Sequence, residues 1–550
     1  MPAREPSFAT HEVTNQPPPL EGYGLFGSDR ALVEAVLREG GAGAAEPLHG
    51  FGRWLGEAST IRLGEQANRH PPALRTHDRF GHRIDDVEFH PAWHELLRRA
   101  VAERVHALPW AAPAPGAHVV RAAKAFLLNQ VESGVCCPLA MTFAAVPALN
   151  DTPALAEVWS PKLLSAEYDP ALRPVGKKRG ALAGMAMTEK QGGSDVRANS
   201  TRAVRAGPGE YRLTGHKWFC SAPMSDAFLT LAQTDKGLSC FLLPRMLPDG
   251  GRNAFRIQRL KDKLGNRSNA SAEVEYAGAF AWLVGEDGHG VRTIIKMVHH
   301  TRLDAAISSA ALIRQALAQA LHHVAHRTAF GRRLLEQPLM RNVLADLALE
   351  SEAATALVMR LARAFDGAGT DPAEAALARL ATPVAKYWIC RRAPGAIAEA
   401  LECLGGNGYV EEGVLPRLYR EAPVNSVWEG SGNVLCLDVL RALEREPAAA
   451  DALLAEAEAA RGADRRLDAW IDTLKNELRQ TAEREHEARA LVERVALALQ
   501  GAVLVRHAPA AIADAFCAAR LADRPGRQFG VLPAGLGLEA ICERALPRSS

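Results

Sequence analysis

Hydroxyl and amide side chains are concentrated in a turn-rich segment around residue 190. Thr188, Gln191 and Ser194 occur there beside two adjacent glycines, Gly192 and Gly193. Glycine lacks a Cβ atom, so this segment can bring its backbone N–H groups close to a ligand. Isoalloxazine rings and pyrophosphate groups are rich in hydrogen-bond acceptors and need donors of this kind. The segment therefore predicts a flavin or phosphate site, although an ordinary polar loop has a similar composition.

A second candidate for chemistry is the carboxylic acid at Glu429. It follows Trp428 and precedes a Gly-Ser-Gly-Asn sequence that starts a predicted helix. Apolar and aromatic surroundings raise the pKa of a carboxyl group by desolvation, which suits a general base that removes a proton from carbon. The N–H groups at such a helix start can bind a phosphate or a flavin edge. The alternative is that Ser431 or Asn433 only caps the helix and that Glu429 favours its dipole.

The spacing of apolar residues predicts the elements that must hold these groups. We expect an N-terminal arm with an α-helical domain, a β-domain, an α-helical bundle and a C-terminal helical domain at residues 1–182, 183–290, 291–445 and 446–550. Long helices are predicted in the bundle over residues 291–326, 339–365 and 371–403. The expected fold class is therefore mainly α with a central antiparallel β-domain.

Composition sets the broad class of the protein. A chain of 550 residues and 59.2 kDa is too long for one core, and a hydrophobic content of 48% is enough for well-buried interiors. The net charge of +2 argues neither for nor against nucleic acid. Nine scattered cysteines without metal-ligand spacing predict a reduced protein with no metal site. Neither a signal peptide nor a run of about 18 apolar residues occurs, so we expect a cytoplasmic protein without membrane spans.

The two candidate motifs and the order of the domains resemble the acyl-CoA dehydrogenase flavoprotein family. The pattern is Met-Thr-Glu and Gly-Ser-Asp before the β-domain, and an aromatic-Glu-Gly-Ser motif after the helical bundle. Further segments that resemble family motifs, in the same order, lie at residues 215–221, 260–267, 285–290, 327–332, 404–409 and 420–422. The resemblance covers roughly residues 50–445 and implies FAD as the cofactor, with an acyl-CoA or related small molecule as the substrate.

The resemblance also implies roles for individual residues. Glu429 aligns with the catalytic base, Phe219 stands where the family usually has a flavin-stacking Trp, and Ser221 stands where a Thr hydroxyl approaches flavin N5. Arg327 and the Gly405-Gly406 turn would touch the cofactor of a neighbouring subunit, which implies a homotetramer. The full set of implied cofactor contacts is Met185, Met187, Thr188, Gln191, Gly193, Ser194, Phe219, Cys220, Ser221, Arg327, Gly405, Gly406, Val427, Trp428, Gly430, Ser431, Gly432 and Asn433.

Three positions depart from the family pattern. The usual Tyr before the base is Trp428. Some members place the base on the first long helix of the bundle, just before an Arg, and that position here is Thr301, which cannot serve as a base. Arg441 could pair with Glu429 or crowd the substrate channel, and an Arg partner lowers the pKa of a carboxyl group. The sequence therefore predicts FAD binding together with weak turnover of acyl-CoA.

A closer resemblance is to a branch of this family that acts in the bacterial response to DNA alkylation. It rests on the local form of both motifs and on the C-terminal extension, and it implies binding of double-stranded DNA. From residue 449 onward the chain has about 14 Lys and Arg against about 15 Asp and Glu, so the extension has no bulk positive charge. The candidate phosphate contacts are two arginine clusters, Arg461, Arg465 and Arg466 and then Arg520, Arg524 and Arg527.

The residues alone leave other functions open. A salt-bridged packing domain fits the C-terminal charges at least as well as a DNA-binding domain does. The chain would then be a working short- or branched-chain acyl-CoA dehydrogenase with a structural extension. A third hypothesis is a flavin-stabilised protein that shields DNA without catalysis. Reduction of the flavin by an acyl-CoA separates the third hypothesis from the other two.

Overall fold

The computed structural model describes residues 10–478, 485–522, 526 and 528–547. The first part of the chain is helical, as predicted, but it also contains an antiparallel hairpin of two strands, β1 (Ala73–His77) and β2 (Arg83–Glu88). Arg83 of this hairpin donates to the backbone of Ile257 in the β-domain at 2.8 Å. The helices of this part are α1 (Arg30–Arg38), α2 (Ala45–Gly56), α3 (Ala58–Arg69), α4 (Pro91–Ala102), α5 (Leu108–Ala111), α6 (Ala117–Asn129), α7 (Cys136–Leu149) and α8 (Pro153–Leu163).

The central β-domain is a seven-stranded sheet. Its strands are β3 (Ala183–Ala186), β4 (Arg202–Gly207), β5 (Glu210–Ser221), β6 (Ala227–Thr234), β7 (Gly237–Pro244), β8 (Phe255–Leu260) and β9 (Ser271–Val284). They follow the order β3-β6-β4-β5-β9-β7, β8 pairs with β9, and an additional pairing of β6 with β7 closes the sheet on itself. Most neighbouring strands are antiparallel, as predicted, but the sheet is mixed, because β6 runs parallel to both β3 and β4. These parallel neighbours are separated in sequence by intervening strands, so local alternation does not reveal them.

Three long helices form the bundle where the sequence predicted them. They are α9 (Gly290–His326), α10 (Pro338–Gly367) and α11 (Pro372–Glu402). A short hairpin of β10 (Thr328–Ala329) and β11 (Arg332–Arg333) connects the first two helices. The bundle continues with α12 (Gly406–Tyr409), α13 (Leu415–Asn425) and α14 (Gly432–Arg445), and the Glu429 turn lies between the last two.

The C-terminal helices are packed into the rest of the molecule. They are α15 (Pro447–Glu458), α16 (Arg465–Leu478), α17 (Ala488–His507), α18 (Ala510–Arg520) and α19 (Leu538–Ala545). A single apolar cluster extends from Tyr23 through the bundle to Cys542, so the extension shares its core with the N-terminal and bundle helices. Among the described residues, no helix is both long and apolar enough to cross a membrane.

Candidate active site

The polar loop after β3 is anchored by Glu189, which the sequence analysis did not single out. This carboxylate is fully buried and pairs with the equally buried ammonium of Lys217 on β5 at 2.9 Å. It also accepts from the Thr201 hydroxyl at 2.6 Å and from the backbone and hydroxyl of Ser200. Burial raises the pKa of Glu189, but the Lys217 charge and the hydrogen bonds outweigh it and hold the pKa well below its usual range. The buried ion pair of Glu189 with Lys217 and the hydrogen bonds of Glu189 therefore hold the loop in place.

The predicted cofactor residues of this loop have different environments. Gly193 lies so close to Thr188 that a Cβ atom would be 2.4 Å from the threonine hydroxyl oxygen, so only glycine fits. Gln191 directs its amide to Glu189 Oε2 at 2.8 Å, so its side chain also stabilises the loop itself. Ser194 is exposed and Met185 is buried in the apolar cluster beneath the loop.

The neighbouring strand β5 alternates its side chains across the sheet. Phe219 is 51% exposed and Ser221 is half-buried, whereas Cys220 is fully buried in the β-domain core. A contact of Cys220 with a cofactor would therefore be made by its backbone, because its side chain points into the core. The loop and the strand are adjacent because Trp218 donates its backbone N–H to Thr188 at 2.8 Å.

The candidate base Glu429 lies in a strained turn. Its φ of 59° is in the left-handed region, which is uncommon for a residue other than glycine, and Gly430 follows with a φ of 98°. Thr301 Oγ1 on α9 donates to Glu429 Oε2 at 2.7 Å, so the two base positions known in the family meet in space. Burial raises the pKa of Glu429 above its usual value, and the Thr301 hydrogen bond and the Lys386 and Arg302 charges oppose that shift. A raised pKa is what a base for a carbon acid requires.

The loop, the strand and the turn meet around helix α7. Met185, Met187, Trp428 and Cys137 of α7 belong to one apolar cluster. Burial and then the nearby Glu429 carboxylate raise the pKa of Cys137 to about 12, and a hydrogen bond with Ser221 opposes the rise. Ser221 and Glu429 are therefore both close to the Cys137 thiol. The structure thus brings the predicted flavin strand and the predicted base to the same place.

The positive charges beside Glu429 come from residues other than Arg441, which the sequence suggested. Arg441 is exposed and forms no ion pair with Glu429 in the described chain, so the pairing that the sequence left open is not observed. The charges that act on the Glu429 carboxylate come from Lys386 on α11 and Arg302 on α9. Both side chains are buried. A lysine inside the apolar stretch 381–390 is a signal that sequence reasoning could have used.

The start of α14 contacts the C-terminal helices. Ser431 occupies the N-cap position but its side chain makes no capping hydrogen bond, so the structure gives no support to a purely capping role for it. Asn433 Oδ1 accepts from Arg489 Nε of α17 at 2.8 Å. Val427 and Ser431 are exposed, and Gly432 is buried against Tyr387 of α11.

Arg327 and the Gly405-Gly406 turn lie together at a second location. They line an open cavity of about 370 Å³ at the hairpin between α9 and α10. Cβ atoms added to either glycine would meet nothing within 4 Å, so the backbone here is accessible to a ligand. Arg327 donates to the backbone carbonyl of Asn15 in the N-terminal arm at 2.5 Å.

The C-terminal arginines differ in their availability. Arg461 pairs with Glu458 and Asp472, and Arg466 pairs with Asp464 and Asp514. Arg520 points into the molecule, where it pairs with the buried carboxylates Asp346 and Glu350, which argues against a phosphate contact. Arg465 is exposed and has no ion pair with a described residue. The remaining candidates Arg524 and Arg527 lie outside the described residues.

The donor set at the candidate active site fits a flavin. Trp428 Nε1 is buried without a hydrogen-bond partner in the described chain, and it lies beside the hydroxyl-bearing Thr188 loop and β5 strand. The exposed ring of Phe219 offers a flat apolar face. Thr188, Ser221 and the backbone around the 192–193 glycines would hold the ring and its phosphates, which are rich in acceptors.

Models of known protein families and two relatives match most of this chain. Residues 15–170 match the model of the adaptive response protein AidB N-terminal domain, and residues 184–279 and 288–444 match the acyl-CoA dehydrogenase middle and C-terminal domains. AidB of Escherichia coli strain K12 is 51% identical over 521 residues, which cover 94% of this chain and 96% of the relative. Acyl-CoA dehydrogenase family member 11 of Caenorhabditis elegans is 33% identical over 75% of this chain and 69% of the relative.

A solved structure extends the similarity to the whole molecule. The structure of Caenorhabditis elegans ACDH-11 in complex with C11-CoA aligns with a TM-score of 0.85 at 28% identity, and it covers 96% of this chain and 95% of that chain. The C-terminal helices are therefore shared with a relative. With domain models matching segments from residue 15 to residue 444 and a relative that is 51% identical along 94% of the chain, the protein belongs to the acyl-CoA dehydrogenase family of FAD flavoproteins, in the branch that contains AidB.

Proposed function

We propose that this protein is an FAD-dependent oxidoreductase that uses Glu429 as the base for α,β-dehydrogenation of an acyl-CoA. The observation that carries the proposal is the partly buried Glu429 carboxylate, with its raised pKa, beside Thr301 and near Ser221 of the flavin strand. An acyl-CoA is further supported by the C11-CoA complex of the Caenorhabditis elegans relative. Both alkyl chain length and branching of the substrate are left to experiment.

The residues of this chain would divide the reaction between them. Glu429 removes a proton from the carbon next to the thioester carbonyl, and burial raises the pKa of its carboxyl group, which favours this role. FAD held by Thr188, Ser221 and the backbone of the 192–193 glycines would supply the acceptor for the hydride of the neighbouring carbon. Thr301 fixes one carboxylate oxygen, which leaves the other free for the substrate. The apolar cluster of Met185, Met187 and Trp428 limits the access of water.

The test is anaerobic reduction of the bound flavin by straight-chain and branched acyl-CoA thioesters. We expect the visible flavin absorbance to bleach with the parent protein and not with Glu429→Gln, which keeps the size of the side chain but removes the base. Glu157→Gln, at an exposed position on α8, is the matched control and should behave like the parent. Unchanged reduction in Glu429→Gln would remove Glu429 from the mechanism. A parent protein that no acyl-CoA reduces would favour a flavin-stabilised protein without catalysis.

We also propose that the protein is a cytoplasmic homotetramer. The hairpin that carries Arg327 exposes 96% of Phe330, and the cavity beside it opens to the surface. A second copy of the chain would bury both, since closed symmetric assemblies are the usual form of such interfaces. Light scattering should give four times the chain mass of 59.2 kDa. Phe330→Asp should lower that mass, and a monomeric parent with a full content of FAD would contradict the proposal.

Binding of double-stranded DNA in a response to DNA alkylation stays a prediction, supported by the membership of the AidB branch. Of the six predicted arginines, Arg465 is the described one that is exposed and without an ion pair. If the C-terminal helices bind phosphates, Arg465→Glu should weaken duplex binding and flatten its salt dependence. Equal binding by that variant and the parent would favour the alternative, a dehydrogenase with a structural extension. The core shared by the extension and the bundle favours this alternative.

A further inference from the structure

Two buried cations bind three consecutive backbone carbonyls around the candidate base. Lys386 Nζ donates to the Trp428 carbonyl at 2.6 Å and to the Gly430 carbonyl at 2.5 Å. Arg302 Nε donates to the carbonyl of Glu429 itself at 3.2 Å. The backbone on both sides of the Glu429 side chain is therefore held by positive charge from two different helices, α11 and α9.

The two cations are themselves held by their surroundings. Lys386 is fully buried and Arg302 is 6% exposed. Arg302 Nη1 pairs with Asp438 of α14 at 2.5 Å, and Arg379 of α11 binds the other oxygen of the same carboxylate at 3.2 Å. Lys386 forms no ion pair in the described chain, so the two carbonyls are its closest partners. Burial lowers the pKa of Lys386 to about 8.

Burial of an ammonium group without a carboxylate ion pair costs desolvation free energy, so the lysine at this position requires an explanation. An apolar side chain of similar length would pack at position 386 without the desolvation penalty. The carbonyls it binds belong to a turn with positive φ at Glu429 and Gly430, and such backbone persists only where neighbouring groups hold it. In this turn the Glu429 carboxylate reaches the Thr301 hydroxyl.

We propose that Lys386, together with Arg302, is a positioning residue that locks the Glu429 turn in its catalytic conformation. The proposal rests on the proposed function in so far as Glu429 is the base. Lys386 acts through the backbone and does not touch the substrate. The groups that face the Glu429 carboxylate are Thr301, Arg302 and Asp304 of α9, Lys386 of α11 and Cys137 of α7. Removal of Lys386 withdraws a positive charge from this set as well as two hydrogen bonds.

Lys386→Met tests the proposal because methionine keeps the length and removes the charge and the donors. A matched control is Lys178→Met, which removes another buried ammonium that donates to two carbonyls, those of Asp169 at 2.5 Å and Ala171 at 2.8 Å, and that pairs with Asp226. Both variants should lose stability, since each leaves buried carbonyls without donors. Only the variant at the Glu429 turn should lose reactivity while it keeps its FAD.

The measurements are FAD content, the rate of flavin reduction by an acyl-CoA across pH, and the concentration of acyl-CoA at half-saturation. In Lys386→Met we expect a loss of about 100-fold in the limiting rate, the order of effect that a misplaced catalytic group produces, with little change in half-saturation. The acid limb of the rate profile should move to higher pH, because a positive charge that favours the Glu429 carboxylate is gone. Lys178→Met should keep the parental rate and profile.

A fourth measurement separates this proposal from the proposed function. Hydrogen exchange of the amides in residues 428–431 should be faster in Lys386→Met and unchanged in Lys178→Met. If no acyl-CoA reduces the flavin of the parent, the proposed function fails, and the exchange experiment still decides whether Lys386 holds the turn. Parental exchange in Lys386→Met overturns the proposal, and so does a parental rate with a parental pH profile.

Discussion

The hydroxyl of Thr301 is the closest polar partner of the Glu429 carboxylate, and it favours the charged form. Thr301→Val keeps the shape of the side chain and removes this hydrogen bond. Without this hydrogen bond the charged carboxylate is less favoured, so the pKa of Glu429 rises further. We therefore expect the acid limb of flavin reduction to move to higher pH, measured with the pH dependence of the reduction rate.

The control for this variant is Thr355→Val on α10. Thr355 is also buried, and its hydroxyl donates to the backbone of Ser351 at 2.9 Å, away from the Glu429 turn. Its pH profile should match that of the parent. An acid limb that stays in place in Thr301→Val would show that this hydrogen bond does not set the pKa of the base.

At the residue scale, the sequence predicted the candidate base but not the residues that hold it. Glu429, the Thr188 loop and the Ser221 strand were visible as local motifs, and the structure brings Ser221 and Glu429 close to one thiol. Lys386 and Glu189 were missed because their partners lie on other elements: Lys386 binds carbonyls 42 and 44 residues away. Single-sequence reasoning finds residues that are adjacent in the chain, whereas positioning residues act across the fold.

At the scale of the helices, the packing of α18 against α10 depends on a buried network of ion pairs. Arg520 of α18 and Arg392 of α11 both bind Glu350 of α10. Burial raises the pKa of Glu350, but the two guanidinium groups outweigh it and lower the pKa to about 2. The carboxylate therefore stabilises the fold fully above its ordinary value of 4.5, and this contribution is lost as the pH falls toward 2.

Arg520→Ala should destabilise the protein by about 3 kcal/mol at neutral pH, because the buried carboxylate of Asp346 loses its ion pair and Glu350 keeps only Arg392. Because the pKa of Glu350 rises in that variant, its acid unfolding should begin at a higher pH than in the parent. Urea unfolding at a series of pH values measures both effects. Arg465→Ala, an exposed arginine of the same C-terminal part, should unfold like the parent. Equal stability of the Arg520 variant and the parent would contradict this reading of the network.

The elements with long periodic patterns were predictable, and the pairings between distant elements were not. The sequence placed α9, α10 and α11 with ends close to those observed, because their apolar repeat continues over many turns. The β1–β2 hairpin was missed in a region read as helical, because strands of five and six residues leave little periodic signal. The parallel pairing of β3 with β6 depends on contacts that sequence alternation does not encode.

At the scale of the whole molecule, we expect the helical domains to unfold together in one transition. The apolar cluster that joins residues from Tyr23 to Cys542 includes the bundle and the C-terminal helices. Removal of residues 446–550 would therefore expose an apolar face of α10 and α11, and we expect the truncated chain to aggregate. Calorimetry of the full chain should show one cooperative transition for the helical parts. A soluble truncated chain that keeps its FAD would show that the extension is an independent domain.

The contact between α1 and α19 sets an order of events during protein synthesis. Arg544 pairs with Glu34 and Glu352, and Arg314 binds both Asp29 and the backbone of Ala545. Glu34 and Arg544 are 510 residues apart, so the charged face of α1 stays incomplete until α19 has been synthesised. An N-terminal part that stays incompletely paired while the intervening residues are made presents apolar surface for a long time. Newly made chains should accordingly depend on chaperones until residue 544 has been added, whereas chains that are already folded should not.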